Sequence, residues 1–320
     1  MKLVRFQDAS GDRIGVLHDD GIAPITGMSS LQQLIAHSLA MQADGAGGDH
    51  DSQLLAKLHF EAVIDLESVQ LLAPIVPTRN VFCVGWNYLK HYTESIGKRE
   101  GQEQPLPDHP TLFTKPPTAV AGPGDVLPLH QQYTAKLDWE VELAVIIGKE
   151  GRDIAEADAL DHVFGYTIAN DISARDLQRA HGGQWFKGKA LDGTCPLGPA
   201  VVTVQEIGDP QNLDISCLVN GETMQSANTS RQIFSVARVI AELSAGMTLL
   251  PGDVILTGTP DGIGSARTPP LFLRDGDLIE CRIEKIGSLS NRISAQVRGA
   301  ARNHKDPQHT PQAQANAHMV

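Results

Sequence analysis

Two glutamates are separated by one residue at the start of an apolar run, in the segment DWEVEL at 138–143. If this segment is a strand, Glu140 and Glu142 lie on the same face, because side chains alternate along a strand. Two carboxylates on one face repel each other unless a cation or a base lies between them. The spacing alone is equally consistent with the solvated polar face of a half-buried strand. The wholly apolar run at 143–147 instead indicates a buried strand, whose acidic end is suited to Mg²⁺, Mn²⁺ or Ca²⁺.

A third carboxylate follows a second apolar pattern, which ends at Ala169. A strand ending there would bring Asp171 to the edge of a pocket, where it could complete a site for a hard cation. Asp171 could instead cap the helix that follows it, while Arg175 pairs with Asp176 on the surface. The residues therefore suggest a metal site and leave the simpler explanation of Asp171 open.

The elements that would position these residues are mostly strands. Apolar or alternating runs predict strands at 81–84, 139–147, 161–168, 200–204, 215–219, 253–257 and 278–286. One amphipathic helix is predicted, with a cap at 228–230 and Ile233, Val236, Ile240 and Leu243 on one face. Many strands with few helices favour a mixed α+β fold, mainly β, with a rolled sheet rather than a doubly wound parallel one.

Three regions are predicted along the chain. Residues 1–74 form a small N-terminal α/β domain that ends at a proline-containing boundary, with Pro74 and Pro77. The second region, residues 78–290, contains the acidic segments, and the family resemblance described below implies that it is the catalytic domain. The polar segment 297–320 has no apolar anchors and is predicted to be a disordered tail.

Composition excludes several classes of function. The 320-residue chain has 26 basic and 38 acidic residues and a formal net charge of −12, which argues against nucleic-acid binding, since phosphate affinity comes from clustered Lys and Arg. The chain has no run of apolar residues long enough to span a membrane, and residues 1–6 lack the apolar segment of a signal peptide. We therefore expect a cytoplasmic protein without a membrane partner.

The four cysteines, which lack a C-x-x-C spacing, are expected to be buried free thiols.

Five segments in order resemble the fumarylacetoacetate hydrolase superfamily. They are VGWNYLKHYTE at 84–94, WEVELAVIIGK at 139–149, NDISARDLQ at 170–178, KALDGTCPLGP at 189–199 and GDVILTGTPDGIG at 252–264. The resemblance covers roughly residues 78–290. It implies a mixed β-roll, one divalent ion held by Glu140, Glu142 and Asp171, and a homodimer. Mg²⁺ is the expected ion, with Mn²⁺ or Ca²⁺ as alternatives, and the open positions around it would accept a 2-oxo acid.

The family resemblance also implies a reaction. We expect hydrolysis of the carbon–carbon bond between the two carbonyls of a 2,4-dioxo acid, such as fumarylpyruvate or another acylpyruvate, to give pyruvate and a second acid. A divalent cation would stabilise the developing enolate as a Lewis acid. Members of the family that decarboxylate 2-oxo acids or isomerise unsaturated dioates share the same ligands, so both reactions remain alternatives.

The resemblance implies three catalytic residues. His91 and Glu94 lie three residues apart on a helical turn, where Glu94 could orient the imidazole and His91 could activate water. Without the resemblance, His91 would be interpreted as a polar surface residue. Lys189 would remain charged near three carboxylates and could donate to an oxyanion, although Lys187 lies only two residues away. The dyad favours hydrolysis, because hydrolysis needs a base that activates water, whereas decarboxylation does not.

Substrate binding is assigned by resemblance to Lys115, Arg175, Gln178 and Thr259. The hydroxyl and backbone amides around Thr259 would bind the substrate carboxylate, although the glycines there also fit a plain tight turn. Asp138, by contrast, is expected to be dispensable. The polar segment 97–109 is longer than expected for the family and could be part of a mobile lid.

Overall fold

A computed structural model describes residues 1–43, 50–98, 103 and 105–297. The predicted tail at 297–320 therefore lies outside the described residues, except for its first residue. The predicted lid at 97–109 lies partly outside them. No helix of the described residues is long and apolar enough to cross a membrane.

Strands form most of the described secondary structure. In chain order they are β1 Lys2–Asp8, β2 Gly11–His18, β3 Gly21–Pro24, β4 Gln70–Leu72, β5 Val81–Gly85, β6 Thr111–Lys115, β7 Val120–Ala121, β8 Val126–Pro128, β9 Leu137–Asp138, β10 Val141–Ile147, β11 Val163–Asn170, β12 Ser173–Ala174, β13 Cys195–Thr203, β14 Asp214–Val219, β15 Glu222–Asn228, β16 Val254–Leu256, β17 Leu278–Ile283 and β18 Gly287–Ser294. The α-helices are α1 Leu31–Ala43, α2 His50–Lys57, α3 Leu89–Glu94, α4 Arg175–Ala180, α5 Phe186–Lys189, α6 Val204–Ile207 and α7 Val236–Ser244.

Two sheets pack against each other around the main core. The larger sheet has the order β3-β2-β1-β13-β11-β10-β16-β5-β6, with β4 beside β1 and β7 beside β13. The smaller sheet has the order β15-β14-β17-β18-β8. Leu143 and Ile168 of the larger sheet share a buried apolar cluster with Ile215 and Ile279 of the smaller one. The predicted fold class, mixed and mainly β with a small N-terminal α/β region, is confirmed.

The strand that carries the acidic motif is buried on both faces. Leu143, Val145 and Ile147 of β10 lie in the core between the two sheets. Ala144 and Ile146 face a second apolar cluster, to which the N-terminal helix α1 contributes. This double burial explains why the sequence of β10 is continuously apolar instead of alternating.

The N-terminal residues belong to the same sheet as the rest of the chain. Strand β1 pairs with β13 in antiparallel register, with Lys2 opposite Val202 and Leu3 opposite Val201. The predicted boundary near residue 74 falls between β4 and β5. It remains a prediction as a domain boundary, because the two regions share both a sheet and a core.

The predicted amphipathic helix begins later than the sequence suggests. Asn228 caps only a short 3₁₀ turn, Thr229–Arg231, by accepting a hydrogen bond from the Ser230 N–H. Helix α7 begins at Val236, and the side chain of Ser235 accepts from the Arg238 N–H at 3.1 Å. Asn228 and Ser235 both have side chains that are preferred at helix caps. Ser235, which directly precedes the buried apolar face of α7, forms the helix cap.

Candidate active site and metal centre

The acidic residues predicted as ligands meet where β10 and β11 pair. The peptide N–H of Asp171 donates to the Glu140 carbonyl at 2.8 Å, and the Glu140 N–H donates to the Asn170 side chain at 3.0 Å. These bonds hold the start of β10 against the end of β11. As a result, carboxylate oxygens of Glu140, Glu142 and Asp171 lie within 4.8 Å of one another, and all three residues are buried.

Three cationic side chains surround this carboxylate cluster. Lys189 Nζ donates to Glu140 at 2.8 Å and to Asp171 at 2.5 Å. Lys115 Nζ donates to the other oxygen of Asp171 at 2.7 Å, and Arg175 pairs with Glu140 at 2.6 Å. Burying a charge is costly unless it is paired and hydrogen-bonded, so these cations allow the cluster to be buried.

The three cations affect the carboxylates unequally. Burial alone would raise the pKa of Glu140, but Lys189 and Arg175 hold that pKa below its ordinary value. Burial, together with the negative charges of Asp171 and Glu140, raises the pKa of Glu142 well above its ordinary value. Burial opposes the charged form of Lys189, but Asp171 and Glu140 raise its pKa, so the ammonium stays charged. Glu142 is thus the carboxylate whose charge is least compensated.

The donor set fits a divalent cation. With all four acids ionised, Asp138, Glu140, Glu142 and Asp171 would carry four negative charges, against three positive ones on Lys115, Arg175 and Lys189. Glu142 accepts a hydrogen bond from the Gly258 N–H at 2.5 Å, which holds one of its oxygens in place. Three converging carboxylates suit Mg²⁺ or a similar hard cation. The cluster is therefore consistent with a divalent metal site, without specifying the metal.

Asp138 has a structural role that the sequence did not indicate. Its carboxylate is fully buried, accepts from Arg175 Nε at 2.8 Å, and accepts from the N–H groups of Gly264 and Ser265 at 2.7 and 2.9 Å. The sequence led to the expectation that Asp138, two residues before Glu140, is dispensable. The structure instead leads to the expectation that Asp138 holds Arg175 beside Glu140.

A pocket with a cavity volume of about 60 Å³ opens onto this cluster. Seven of the predicted site residues line the pocket. They are His91, Glu140, Glu142, Arg175, Gln178, Lys189 and Thr259. Lys115, Asp171 and Glu94 are not among its lining residues. Lys115 lies behind Asp171 and also donates to the Ile172 carbonyl at 3.1 Å, so its placement favours support of Asp171 over contact with substrate.

The predicted dyad is assembled on helix α3. His91 Nδ1 and Glu94 Oε1 are 2.9 Å apart, and the second oxygen of Glu94 accepts from the Gly262 N–H at 2.8 Å. His91 is only 6% exposed, which rules out the interpretation as a surface histidine. Because Nδ1 faces Glu94, Nε2 is the ring atom that can exchange a proton with a molecule in the pocket.

An aromatic wall of the pocket was missed by the sequence analysis. The rings of Trp86 and Trp185 are 4.8 Å apart and those of Phe113 and Trp185 are 5.4 Å apart, both in edge-to-face geometry. Gly85 leaves room for this wall, because a Cβ there would lie 2.3 Å from the Trp185 ring. The three aromatic residues are far apart in sequence, and Gly85 was the one local signal of a close approach.

Comparison with protein families gives two matches. The model described as "Fumarylacetoacetate (FAA) hydrolase C-terminal" matches residues 80–294. The model described as "Rv2993c-like, N-terminal" matches residues 1–74.

Curated relatives and solved structures extend this similarity. The chain is 51% identical over 229 residues to oxaloacetate tautomerase YisK of Bacillus subtilis, covering 71% of this chain and 74% of that one. It is 40% identical over 298 residues to oxaloacetate tautomerase fahd2, mitochondrial, of Xenopus laevis, covering 92% and 90%. The structure of a fumarylacetoacetate hydrolase from Exiguobacterium antarcticum matches with a TM-score of 0.76 and 41% identity, covering 92% of this chain and 100% of that one.

Proposed function

This chain belongs to the fumarylacetoacetate hydrolase superfamily, and we propose that it catalyses the keto–enol tautomerisation of oxaloacetate or a similar 2-oxo dioate. The similarity to two oxaloacetate tautomerases carries this choice. It supports the isomerase or tautomerase alternative better than the hydrolysis of a 2,4-dioxo acid predicted from the sequence. Hydrolysis remains the second candidate, since the matched Exiguobacterium structure is a hydrolase by name.

Tautomerisation moves one proton between C3 and the C2 oxygen of the substrate. In the keto-to-enol direction, C3 loses a proton, its electron pair forms the C2=C3 double bond, and the C2 oxygen gains a proton. In this proposal His91 Nε2 accepts the proton from C3, while Glu94 holds the imidazole through Nδ1 at 2.9 Å. The same dyad could activate water, so its presence alone does not separate the two reactions.

Lys189 is suited to stabilise the charge that develops on the C2 oxygen. Its ammonium lines the pocket, and its raised pKa keeps it charged between Glu140 and Asp171. A fixed cation in a buried site acts strongly on a developing oxyanion. Mg²⁺ or a similar cation held by Glu140, Glu142 and Asp171 would supply further Lewis-acid stabilisation of the same oxygen.

The substrate is expected to be a small dianion. Arg175 and Lys189 lie deep in the pocket beside the carboxylates, and Arg179 lines it one helical turn farther along α4 than Arg175. This spacing would place one cation near each end of a four-carbon dioate. Cytoplasmic location and a homodimer remain predictions.

Comparing both reactions in the same protein tests the proposal. The purified protein with Mg²⁺ is given enol-oxaloacetate, whose conversion is followed by the loss of enol absorbance, and a panel of 2,4-dioxo acids, whose cleavage is followed by pyruvate release. We expect fast tautomerisation, little pyruvate release, loss of activity with EDTA and recovery with Mg²⁺. Pyruvate release faster than tautomerisation would favour the hydrolase instead.

A further inference from the structure

Gln225 connects the smaller sheet to the active site. It lies on β15, at the edge of that sheet, and is 1% exposed. Its amide Oε1 accepts from the N–H of Val141, the residue between Glu140 and Glu142, at 3.0 Å. Its Nε2 donates to the Thr259 hydroxyl and to the Pro260 carbonyl, both at 2.8 Å. One side chain thus binds the ligand strand and the loop that follows β16.

These contacts form a closed ring of hydrogen bonds around Val141. The Thr259 hydroxyl lies 2.9 Å from the Val141 carbonyl, which can only accept, so the hydroxyl donates its hydrogen there. The Val141 N–H can only donate, which fixes the amide atom facing it as the oxygen of Gln225. Every donor in the ring therefore has a defined acceptor.

The ring changes the expected role of Thr259. Its hydroxyl has one hydrogen, which is used by Val141, so the hydroxyl cannot also donate to a substrate carboxylate. The peptide N–H of Thr259, by contrast, has no acceptor among the described residues, although Thr259 is 2% exposed and lines the pocket. Buried amides are almost always hydrogen-bonded, so this N–H is a candidate donor to a molecule in the pocket.

We propose that Gln225 is a positioning residue for substrate binding: by holding the Thr259 hydroxyl against Val141, it presents the Thr259 peptide N–H to an oxygen of the 2-oxo acid. This inference rests on the 2-oxo acid chemistry proposed above. Of the two groups that the family resemblance suggested, the hydroxyl and the backbone amides around Thr259, it retains the peptide N–H and excludes the hydroxyl as a donor to substrate. It also makes the smaller sheet part of the substrate site, although no side chain of that sheet lines the pocket.

Oxalate is a suitable probe, because its adjacent oxygens resemble the 2-oxo carboxylate end of the substrate. Its affinity for the Mg²⁺-loaded protein is measured by calorimetry. Thr259→Val keeps the side-chain shape but removes the hydroxyl, and Gln225→Met keeps the length but removes the amide. Each change should weaken oxalate binding about tenfold, as expected for a misplaced hydrogen-bond donor. The KM for oxaloacetate should rise by a similar factor, with a smaller change in kcat.

Three comparisons separate positioning from other roles. Thr259→Ser should recover most of the affinity lost in Thr259→Val, and the double variant Gln225→Met/Thr259→Val should be no weaker than either single variant. Mg²⁺ binding without oxalate should persist, because Glu140 and Asp171 are held by the β10–β11 contacts. If Gln225→Met does not fold, Gln225→Glu serves, since it removes the donor to Thr259 while keeping the acceptor for Val141.

Asn291→Leu is the matched control. Asn291 is also a buried amide, 2% exposed, that donates to the carbonyls of Gly122 and Asp125 away from the pocket. It should lower stability without changing oxalate affinity. Additive losses in the double variant, or unchanged oxalate affinity in every Gln225 variant, would overturn the inference. If the variants change oxalate affinity as expected but the unmodified protein does not convert enol-oxaloacetate, only the proposed function is overturned.

Discussion

The four buried carboxylates of the site differ in what balances their charge, and this difference predicts how each responds to substitution. Glu140 and Asp171 are each bonded to Lys189, and Asp138 is paired with Arg175. Glu142 is held by the Gly258 N–H and has a raised pKa. Of the four carboxylates, Glu142 should therefore contribute most to the binding free energy of a divalent cation.

Glu142→Gln should weaken Mg²⁺ binding by more than tenfold, because it removes a ligand charge while keeping an oxygen that can accept from Gly258. Titration calorimetry on the metal-free protein measures this. Glu222→Gln, on an exposed strand residue, is the control and should bind Mg²⁺ as the unmodified protein does. Equal Mg²⁺ affinity in Glu142→Gln would remove Glu142 from the ligand set.

Asp138→Ala should be strongly destabilising. The substitution removes one of the carboxylates that pair with the buried guanidinium of Arg175. It also removes the acceptor for the N–H groups of Gly264 and Ser265. Removing one partner of a buried ion pair costs about 3–5 kcal/mol in the free energy of unfolding. Urea unfolding checks this, and Asp8→Ala, on a partly exposed pair with Arg13, should cost far less, because solvent screens that pair. A small effect at Asp138 would restore the original expectation that it is dispensable.

His91→Ala should lower tautomerisation of oxaloacetate about a hundredfold or more, as expected when a general base is lost. Glu94→Gln should have a milder effect, because the imidazole remains but loses the negative charge beside Nδ1. Mg²⁺ affinity, measured in parallel, should be retained in both variants, since neither residue belongs to the carboxylate cluster. Full activity of His91→Ala would mean that another group transfers the proton.

Residue types and spacing predicted which side chains meet at the site but not what holds them. Glu140, Glu142, Asp171, Lys189 and His91 could be named because their chemistry and motif are visible in sequence. Asp138 and Gln225 could not, because their partners lie far away along the chain. In sequence, Gln225 is one polar residue in a polar strand, and its burial depends on a loop more than thirty residues later.

At the scale of elements, burial explains which predictions succeeded. Strands β10, β11 and β17 lie close to their predicted bounds, because their apolar residues form the core between the sheets. The start of helix α7 was misplaced by several residues, because the sequence offers two caps in succession. The choice between them depends on the apolar face of Val236, Ile240 and Leu243, which must pack on the core.

Substitution of the two caps tests this explanation. Ser235→Ala should lower the free energy of unfolding by about 1 kcal/mol, because it removes the acceptor for the Arg238 N–H at the start of α7. Asn228→Ala should cost less, because it affects a short 3₁₀ turn that ends at Arg231 and an exposed hydrogen bond to Asp214. Chemical denaturation of both variants gives the comparison. A larger loss at Asn228 would mean that the turn, and not the helix cap, determines local stability.

At the scale of the whole molecule, the N-terminal residues cover one face of the sheet that carries the site. Leu3, Leu31 and Leu34 pack in the same apolar cluster as Ala144 and Ile146 of β10. The ligand strand therefore has the intersheet core on one side and the N-terminal region on the other. Sequence patterns separate these two regions at residue 74, because a linker signal is local whereas shared burial is not.

Deletion of residues 1–74 should therefore destabilise the remaining chain instead of releasing an independent catalytic domain. It would remove the β1–β13 pairing and expose Ala144, Ile146 and Val201, whose burial contributes about 25 cal/mol per Å² of apolar surface. We expect a loss of cooperative urea unfolding and of Mg²⁺ binding. Deletion of residues 297–320 is the control, and the sequence predicts that it leaves the fold unchanged. If residues 75–320 instead unfold cooperatively and bind Mg²⁺, β10 does not need the N-terminal region to cover its second apolar face, and residues 1–74 form a separable domain.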